Sequence, residues 1–283
     1  MIVVSEPDDF RALLEQARSS GKSIGFHPTM GALHGGHRAN IRQMAAECDV
    51  ASVSIFVNPL QFGPGEDFRS YPRDLDGDLA QAQEAGADAV LVPRAAFGEE
   101  PLTTVRVKRL GHVLEGLSRP VHFEGVATIV TRLLSIAGPC FAYFGEKDYQ
   151  QLVIVRRLVE DLSLPVVVVN CPTVREPDGL ALSSRNSYLS KEERRAAPAL
   201  YWALLAGKRA IEEEGEKDPV EVRSAMERAV SREPLLGLDY AVVADPGSLD
   251  EVELVEGEVR LLIAGRLGKT RLIDNLKAAR SEA

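Results

Sequence analysis

The chain has little that would place it in a membrane or in an oxidising compartment. Its 283 residues contain no run of about eighteen apolar residues and no charged-then-apolar leader at the start. The three cysteines, Cys48, Cys140 and Cys171, are widely spaced and form no CxxC pair. We therefore expect reduced, buried thiols rather than a disulfide framework or a zinc site, and a globular cytoplasmic protein.

Positive charge is also in short supply. There are 33 basic and 42 acidic side chains, which leave a net charge of -9. Such a surface has no general attraction for nucleic acid or for an anionic membrane, so we expect neither as a partner. Any polyanion that the protein binds must be held by a local site.

The first two thirds of the sequence alternate short apolar runs with amphipathic stretches. This rhythm is typical of strands that lie between crossover helices, and it predicts a doubly wound parallel sheet. Valine-rich runs fit strands that are covered on both faces. The predicted strands span residues 23–26, 50–56, 89–92, 140–144 and 165–170, and the predicted helices span 37–47, 75–85, 126–137 and 148–162.

The pattern changes near residue 175. A charged helix is predicted over residues 191–214, and a second helix begins at Pro219 with Asp218 as its cap. Short apolar runs at 240–244, 259–264 and 270–273 then indicate a small antiparallel sheet. We predict two domains, a nucleotide- and acid-binding domain over 1–175 and a smaller α+β lid over 176–283.

The most informative motif is PTMGALHGGH at residues 28–37, which follows the first predicted strand and precedes a helix. Ligands collect beyond the carboxyl ends of parallel strands, and the N-terminus of the next helix offers unpaired N–H groups to an anion. His34 and His37 are three residues apart, so the opening turn can aim both imidazoles the same way. The motif predicts a phosphate site.

These histidines have two other interpretations. They are polar residues of an ordinary loop in one, and zinc ligands in the other. Zinc would need a third and a fourth ligand, and no cysteine or glutamate stands at suitable spacing. Gly35, Gly36, the strand before and the helix after all agree with phosphate.

Three further clusters carry polar side chains at strand ends or in turns. GEKDYQQ at 145–151 offers Lys147 to a phosphate, while Asp148 either accepts from a ribose hydroxyl or caps a helix. SSRN at 183–186 places two hydroxyls beside Arg185, although serine-rich turns usually just cap helices. Asn58 and Gln61 follow the second predicted strand, and neutral amides there suit a small polar acid.

These stretches together closely resemble the pantothenate synthetase family, nearly from end to end. The resemblance rests jointly on PTMGALHGGH, SIFVNPLQF at 54–62, YPR at 71–73, RPVHFEGVAT at 119–128, GEKDYQQL at 145–152, DGLALSSRN at 178–186 and TRLIDN at 270–275. It implies the Rossmann-like α/β fold of the nucleotidyltransferases that carry a His-x-Gly-His motif. It also implies ATP-driven condensation of (R)-pantoate with β-alanine through a pantoyl adenylate, Mg2+ as the companion of ATP, and a homodimer.

The resemblance also assigns roles to matching positions. It implies that His37 donates a proton, that His34 assists it on the phosphates, and that Lys147 and Arg185 act with them in catalysis. Asp78 and Gln81 match positions that approach Mg2+, directly or through water, although Asp76 and Asp78 equally fit the acidic first turn of a helix. Pantoate and β-alanine would be held by Asn58, Gln61, Arg119 and Gln151, and ATP by Met30, Gly31, His34, His37, Gly145, Glu146, Lys147, Asp148, Val174, Leu182, Ser183, Ser184 and Arg185.

Two rival functions remain open at this point. The first is a nucleotidyltransferase that moves AMP or CMP onto a phosphate ester, which would need extra cations near Gln61. The second is a non-catalytic dimer that senses ATP. The amides of Asn58, Gln61 and Gln151 favour a small hydroxy acid over a phosphorylated acceptor, and the pairing of His34 with His37 favours catalysis.

Overall fold

A computed structural model of the protein describes residues 1–94, 97 and 101–280. The chain divides into two compact units. The first comprises Met1–Glu146 and Gln150–Pro172, and the second comprises Lys147–Tyr149 and the chain from Thr173 onward. Each unit is described by itself.

The first unit is built on a six-stranded parallel sheet in the order β1-β4-β3-β2-β5-β6. From β2 the chain proceeds outward to β3 and β4, and it then returns to place β5 on the other side of β2. The order of the strands therefore reverses between β2 and β5, which is where a doubly wound sheet opens a crevice for a ligand. The strands are Ile2–Val4 (β1), Ile24–Thr29 (β2), Val50–Ile55 (β3), Ala89–Leu91 (β4), Cys140–Gly145 (β5) and Val166–Cys171 (β6).

Helices connect these strands, and local signals fix where several of them begin. Pro7 opens the first helix, and the side chain of Asp74 accepts the Gly77 N–H at 3.0 Å to cap the third. Ile41, Met44 and Val53 are buried between α2 and the sheet. The helices are Pro7–Ser19 (α1), Gly35–Glu47 (α2), Leu75–Glu84 (α3), Glu115–Ser118 (α4), His122–Ala137 (α5) and Tyr149–Asp161 (α6), with 3-10 turns at Pro59–Gln61, Leu110–His112 and Glu146–Asp148.

The predicted α/β class is confirmed, while several element boundaries differ. β2 continues to Thr29, three residues beyond the predicted end at residue 26, because His27, Pro28 and Thr29 still pair with β3 in the parallel register. α5 begins four residues before its predicted start. The strand β1 was not predicted, since a three-residue strand carries almost no periodic signal. The helix α1 was also missed, although its buried residues Phe10 and Leu14 stand at helical spacing.

The second unit contains a three-stranded antiparallel sheet in the order β7-β8-β9, packed against helices. Leu200, Leu204 and Met226 from the helices meet Leu261 and Ile263 from the central strand in its core. Its elements are Lys191–Ala196 (α7), Ala199–Glu212 (α8), Pro219–Val230 (α9), Leu236–Ala244 (β7), Glu258–Leu267 (β8) and Thr270–Ala279 (β9).

The prediction of a single charged helix over residues 191–214 is wrong. The structure has two helices there, and α7 ends at Ala196 while α8 begins at Ala199. Pro198 lies between them. It has no N–H to donate to the preceding turn, so the hydrogen-bond ladder is interrupted at that point.

None of the helices in the described part of the chain combines the length and the apolar character needed to cross a bilayer.

α5 crosses the 3-10 turn Pro59–Gln61 at very short range, and Gly125 makes this approach possible. A Cβ atom at Gly125 would lie 2.2 Å from the Leu60 carbonyl oxygen and 2.5 Å from the Gln61 nitrogen. Both are backbone atoms and cannot swing away. The contact therefore fixes the height of the turn above the helix.

We predict that Gly125→Ala destabilises the fold by about 1–3 kcal/mol, because the added methyl group overpacks against main chain. In an uncrowded helix the same change would stabilise by about 1 kcal/mol, so the sign of the effect is diagnostic. Urea unfolding followed by circular dichroism measures it. Gly63→Ala is the control, since a Cβ there meets its nearest atom at an ordinary 3.4 Å; a stabilised Gly125→Ala protein would contradict the close approach.

Candidate active site

The two motif histidines form the N-terminal cap of α2. His34 is the N-cap residue, and its Nδ1 accepts the N–H of Gly36 at 3.1 Å. His37 reaches back, and its Nδ1 accepts the N–H of His34 at 3.3 Å. This reciprocal arrangement is a capping box in which imidazoles replace the usual hydroxyl and carboxylate.

The cap also fixes where each neutral ring carries its hydrogen. Because both Nδ1 atoms accept backbone N–H groups, the hydrogen of each imidazole is on Nε2. The rings lie side by side, with their centroids 4.1 Å apart and both side chains half-buried. Two Nε2–H donors thus stand at the positive end of a helix, an arrangement that favours an anion.

The loop between β2 and α2 is held by a carboxylate from α3. Asp78 is buried, and its two oxygens accept the N–H groups of Ala32 at 2.9 Å and Leu33 at 2.7 Å. Gly31 has φ of 78° and leaves room for this carboxylate, because a Cβ there would lie 2.6 Å from Asp78 Oδ2. Ala32 adopts φ of 51°, a conformation that a non-glycine residue rarely takes. Asp78 therefore supports the loop that follows Met30.

These contacts bear on the Mg2+ site that the resemblance implies at Asp78 and Gln81. Burial raises the pKa of Asp78 above its ordinary value, and the N–H groups of Leu33 and Ala32 act against that rise. Both carboxylate oxygens already serve the loop. Among the described residues, the structure also gathers no cluster of three histidine, cysteine, aspartate or glutamate side chains suited to a metal. The donor set does not fit a protein-held Mg2+.

A third imidazole, which the sequence analysis did not single out, lies beside the pair. His27 on β2 is buried, and its Nδ1 lies 2.8 Å from the Tyr143 carbonyl oxygen, to which it donates. Its ring centroid is 5.9 Å from that of His37. Burial lowers the pKa of His27 to about 4, so this ring is neutral near pH 7. A histidine inside a strand pattern was the signal that could have drawn attention to it.

The two amides predicted after the second strand are brought together. Asn58 caps the turn that Gln61 ends, and its Nδ2 donates to Gln61 Oε1 at 3.0 Å and to the Gly125 carbonyl at 3.1 Å. Both side chains are buried. With its oxygen engaged in this way, Gln61 presents Nε2 as its donor group.

Arg119, predicted to line the same pocket, is bound to protein groups. Its guanidinium pairs with Glu66 at 2.5 Å and donates to the Gln61 carbonyl oxygen at 3.3 Å. Its Nη1 lies 3.2 Å from His122 Nε2. Arg119 therefore contacts the backbone of Gln61, whereas Asn58 contacts the side chain.

β5 ends at Gly145, across from the motif helix at the reversal of strand order. A Cβ at Gly145 would lie 3.5 Å from Asn40 Nδ2 of α2, so the two segments are close neighbours. Glu146 accepts from Asn170 Nδ2 at 3.4 Å. Gln151 lies half-buried in the first turn of α6, beyond the same edge of the sheet.

The second unit holds the other predicted nucleotide residues. Lys147 and Ser183 line one small pocket, and the Lys147 carbonyl accepts from Asn275 Nδ2 at 2.9 Å. Ser183 caps the turn Ser184–Tyr188 by accepting the Arg185 N–H at 3.3 Å. Asp148, Val174 and Leu182 also belong to this set and lie in the second unit. The Asp148 carboxylate lies 3.4 Å from Lys147 Nζ, and the Leu182 N–H donates to the Val174 carbonyl at 3.0 Å.

A parallel sheet whose strand order reverses beside a histidine-capped helix is the doubly wound α/β fold of the nucleotidyltransferase type, with a crevice for a ligand at the reversal. Residues 2–277 match the family described as pantoate-beta-alanine ligase. The chain belongs to that family, whose members are ligases.

Curated and solved relatives agree with this assignment. The chain is 49% identical to the pantothenate synthetase of Aquifex aeolicus, with 95% of this chain and 96% of the relative covered. It is 50% identical to that of Heliobacterium modesticaldum over 93% of each. The crystal structure of pantothenate synthetase from Thermus thermophilus superposes with a TM-score of 0.91 at 48% identity, covering 98% and 99% of the two chains.

A fourth relative was solved with ligands bound. The pantoate-beta-alanine ligase of Francisella tularensis, described as complexed with beta-gamma ATP and beta-alanine, superposes with a TM-score of 0.79 at 33% identity. Its alignment covers 98% of this chain and 97% of that one.

We predict that His27 makes the fold sensitive to acid. The unfolded chain takes up a proton at this residue near pH 6.5, whereas the folded protein does so only near the pKa of about 4. Stability is therefore lost as pH falls from 6.5 to 4, by about 3 kcal/mol from this residue alone.

Urea unfolding at pH 7 and at pH 4 measures this loss. His27→Asn keeps a donor near the Nδ1 position and cannot titrate, so its stability should depend less steeply on pH than that of the unmodified protein. The exposed His112 provides the matched control, His112→Asn, which should retain the full dependence. Equal slopes for all three proteins would show that His27 does not titrate as described.

Proposed function

We propose that the protein uses ATP to condense (R)-pantoate with β-alanine, giving pantothenate, AMP and diphosphate. The observation that carries the proposal is the pair of Nε2–H donors of His34 and His37 at the N-terminus of α2, in a chain of the pantoate-beta-alanine ligase family. The Francisella relative, complexed with beta-gamma ATP and beta-alanine, supports the choice of two of the three substrates.

The proposed reaction has two steps. A carboxylate oxygen of pantoate attacks the α-phosphorus of ATP, and the bond from that phosphorus to the bridging oxygen of diphosphate breaks. The amine of β-alanine then attacks the acyl carbon of the pantoyl adenylate, the bond to AMP breaks, and the amine loses a proton. Positioning and charge stabilisation supply the rate, and no covalent bond to the protein is formed.

The first unit would hold the reacting groups. His37 donates its Nε2–H to the phosphates as negative charge shifts toward the leaving diphosphate, and His34 assists from the neighbouring ring. The backbone of Met30 and Gly31 approaches the nucleotide. Gln61 presents Nε2 to the acid, with Gln151 at the same sheet edge as its partner.

Other residues proposed for the substrates complete the assignment. Asn58 serves pantoate and β-alanine by orienting the Gln61 amide, and Arg119 contacts the same turn. We propose that the positively charged side chains of Lys147 and Arg185 bind the phosphates of the nucleotide. The remaining nucleotide contacts are Gly145, Glu146, Asp148, Val174, Leu182, Ser183 and Ser184.

Mg2+ would arrive with the phosphates of ATP rather than in a protein cage. This ion keeps several waters and is commonly bound through substrate phosphates with few carboxylates. Asp78 then serves Mg2+ only indirectly, by shaping the loop at residues 30–34, and a role for Gln81 rests on the resemblance alone.

We also propose a homodimer in the cytoplasm. Phe141 on β5 and Val167 on β6 are register partners, and they are 41% and 57% exposed. The dimer rests on the resemblance to the family, and this exposed apolar pair on one face of the sheet agrees with it. The three cysteines are all free thiols, as expected in a reducing compartment.

The decisive experiment is a pyrophosphate-release assay with ATP and pantoate, with and without β-alanine. We expect release that requires pantoate, limited to about one equivalent per active site until β-alanine allows turnover. Release with a phosphate ester in place of pantoate would indicate the rival nucleotidyltransferase. ATP binding without any release would indicate the sensor, and release with neither acid present would contradict the proposal.

We predict that His37→Ala lowers kcat by about 100- to 1000-fold while changing the affinity for ATP only a few-fold, because the donor acts mainly in the transition state. His37→Asn should lose activity equally, since its Oδ1 replaces Nδ1 in the cap but nothing replaces Nε2–H. Steady-state kinetics and calorimetry with ATP provide the measurements. If His37→Asn kept its turnover, or if kcat and ATP affinity fell together, His37 would serve the cap or binding alone.

A further inference from the structure

We propose that Glu66, Arg119 and His122 form a hydrogen-bonded chain that positions Gln61 for the acid substrate. The three are positioning residues, since each acts through Gln61. The inference rests on the proposed function, because it concerns the acid that Gln61 would bind.

The backbone carbonyl of Gln61 receives two side-chain contacts. Arg119 Nη2 donates to it at 3.3 Å, and His122 Nδ1 lies 3.1 Å away. His122 is buried, with 8% of its surface exposed, and it is the first residue of α5. A peptide group held in this way from one side cannot rotate without losing both donors.

The order of donors and acceptors along the chain is determined by its two ends. A carbonyl oxygen can only accept, so Nδ1 of His122 carries a hydrogen and donates to Gln61. A guanidinium can only donate, so His122 Nε2 accepts from Arg119 Nη1 at 3.2 Å. The ring is therefore a neutral imidazole of defined tautomer, with both nitrogens in use.

Glu66 closes the chain at the other end. Its carboxylate accepts three hydrogen bonds from the Arg119 guanidinium, two from Nε at 3.2 Å and 3.1 Å and one from Nη2 at 2.5 Å. The side chains of Arg119 and Glu66 are only 15% and 23% exposed, which limits screening by water. The pair holds the guanidinium plane in place, and with it the hydrogen that reaches His122.

Gln61 is thus fixed from three directions. Asn58 orders its side-chain amide, the chain from Glu66 orders its backbone carbonyl, and Gly125 of α5 sets the distance of the turn from the helix. A displacement of about 1 Å in a group that binds a reacting substrate lowers the reaction rate strongly. The chain therefore affects recognition of the acid more than recognition of ATP.

The test measures KM for pantoate and for ATP separately in the complete enzyme. For His122→Ala we expect KM for pantoate to rise about tenfold, the effect of one buried hydrogen bond, with KM for ATP changed less than about twofold. His122→Asn places an amide N–H near the Nδ1 position and should recover most of this loss. Glu66→Gln, which keeps shape but not charge, should give an intermediate rise even if His122→Ala folds poorly.

A double-mutant comparison separates positioning from general structural support. The Gln61→Ala protein has no side-chain amide left to position. In that background, His122→Ala should therefore raise KM for pantoate no further. The control is His112→Ala at an exposed histidine, which should match the unmodified enzyme.

The proposal would be overturned if His122→Ala raised KM for pantoate as much in the Gln61→Ala background as in the unmodified enzyme. It would also be overturned if KM for pantoate and KM for ATP rose equally. An unchanged KM for pantoate in His122→Ala and in Glu66→Gln would overturn it too. If the unmodified protein released no pantoate-dependent pyrophosphate, the proposed function would fail instead, so the two failures are distinguishable.

Discussion

The first turn of α2 has backbone N–H groups with no partner in the helix, and the way the chain meets that need shapes the whole site. His34 and His37 use their Nδ1 atoms as caps, which leaves both Nε2–H groups as donors at the positive end of the helix. The same two rings therefore cap the helix and are the donors that we propose for a phosphate. The reversal of strand order between β2 and β5 places this end at a crevice in the sheet.

Residues behind the two histidines and behind Gln61 hold these side chains in place. The Asp78 carboxylate fixes the loop before α2, and the neutral His27 fills the space beside His37 without adding charge. The turn that carries Gln61 is held by contacts with residues about 60 positions further along the chain. Groups proposed to touch substrate thus depend on residues that do not.

The sequence alone predicted the α/β class, the motif loop and the closeness of Asn58 to Gln61, because these follow from periodicity and short spacing. It could not predict the contact of Gly125 with Leu60, or the chain through His122, since both join segments that are distant in sequence. The predicted strand ended at residue 26 although β2 continues through Pro28 to Thr29, and the predicted helix over 191–214 is divided at Pro198. Backbone geometry at proline depends on neighbours that a pattern does not contain.

The close approach at Gly125 limits how the substrate range of such an enzyme can change. The turn Pro59–Gln61 lies against main-chain atoms of α5 and cannot move closer to the helix, so the acid site proposed at Gln61 cannot widen on this side. Enlarging the pocket by mutation would have to remove side-chain volume from its other walls. Selection for new acids should therefore leave Gly125 untouched and gather its substitutions elsewhere.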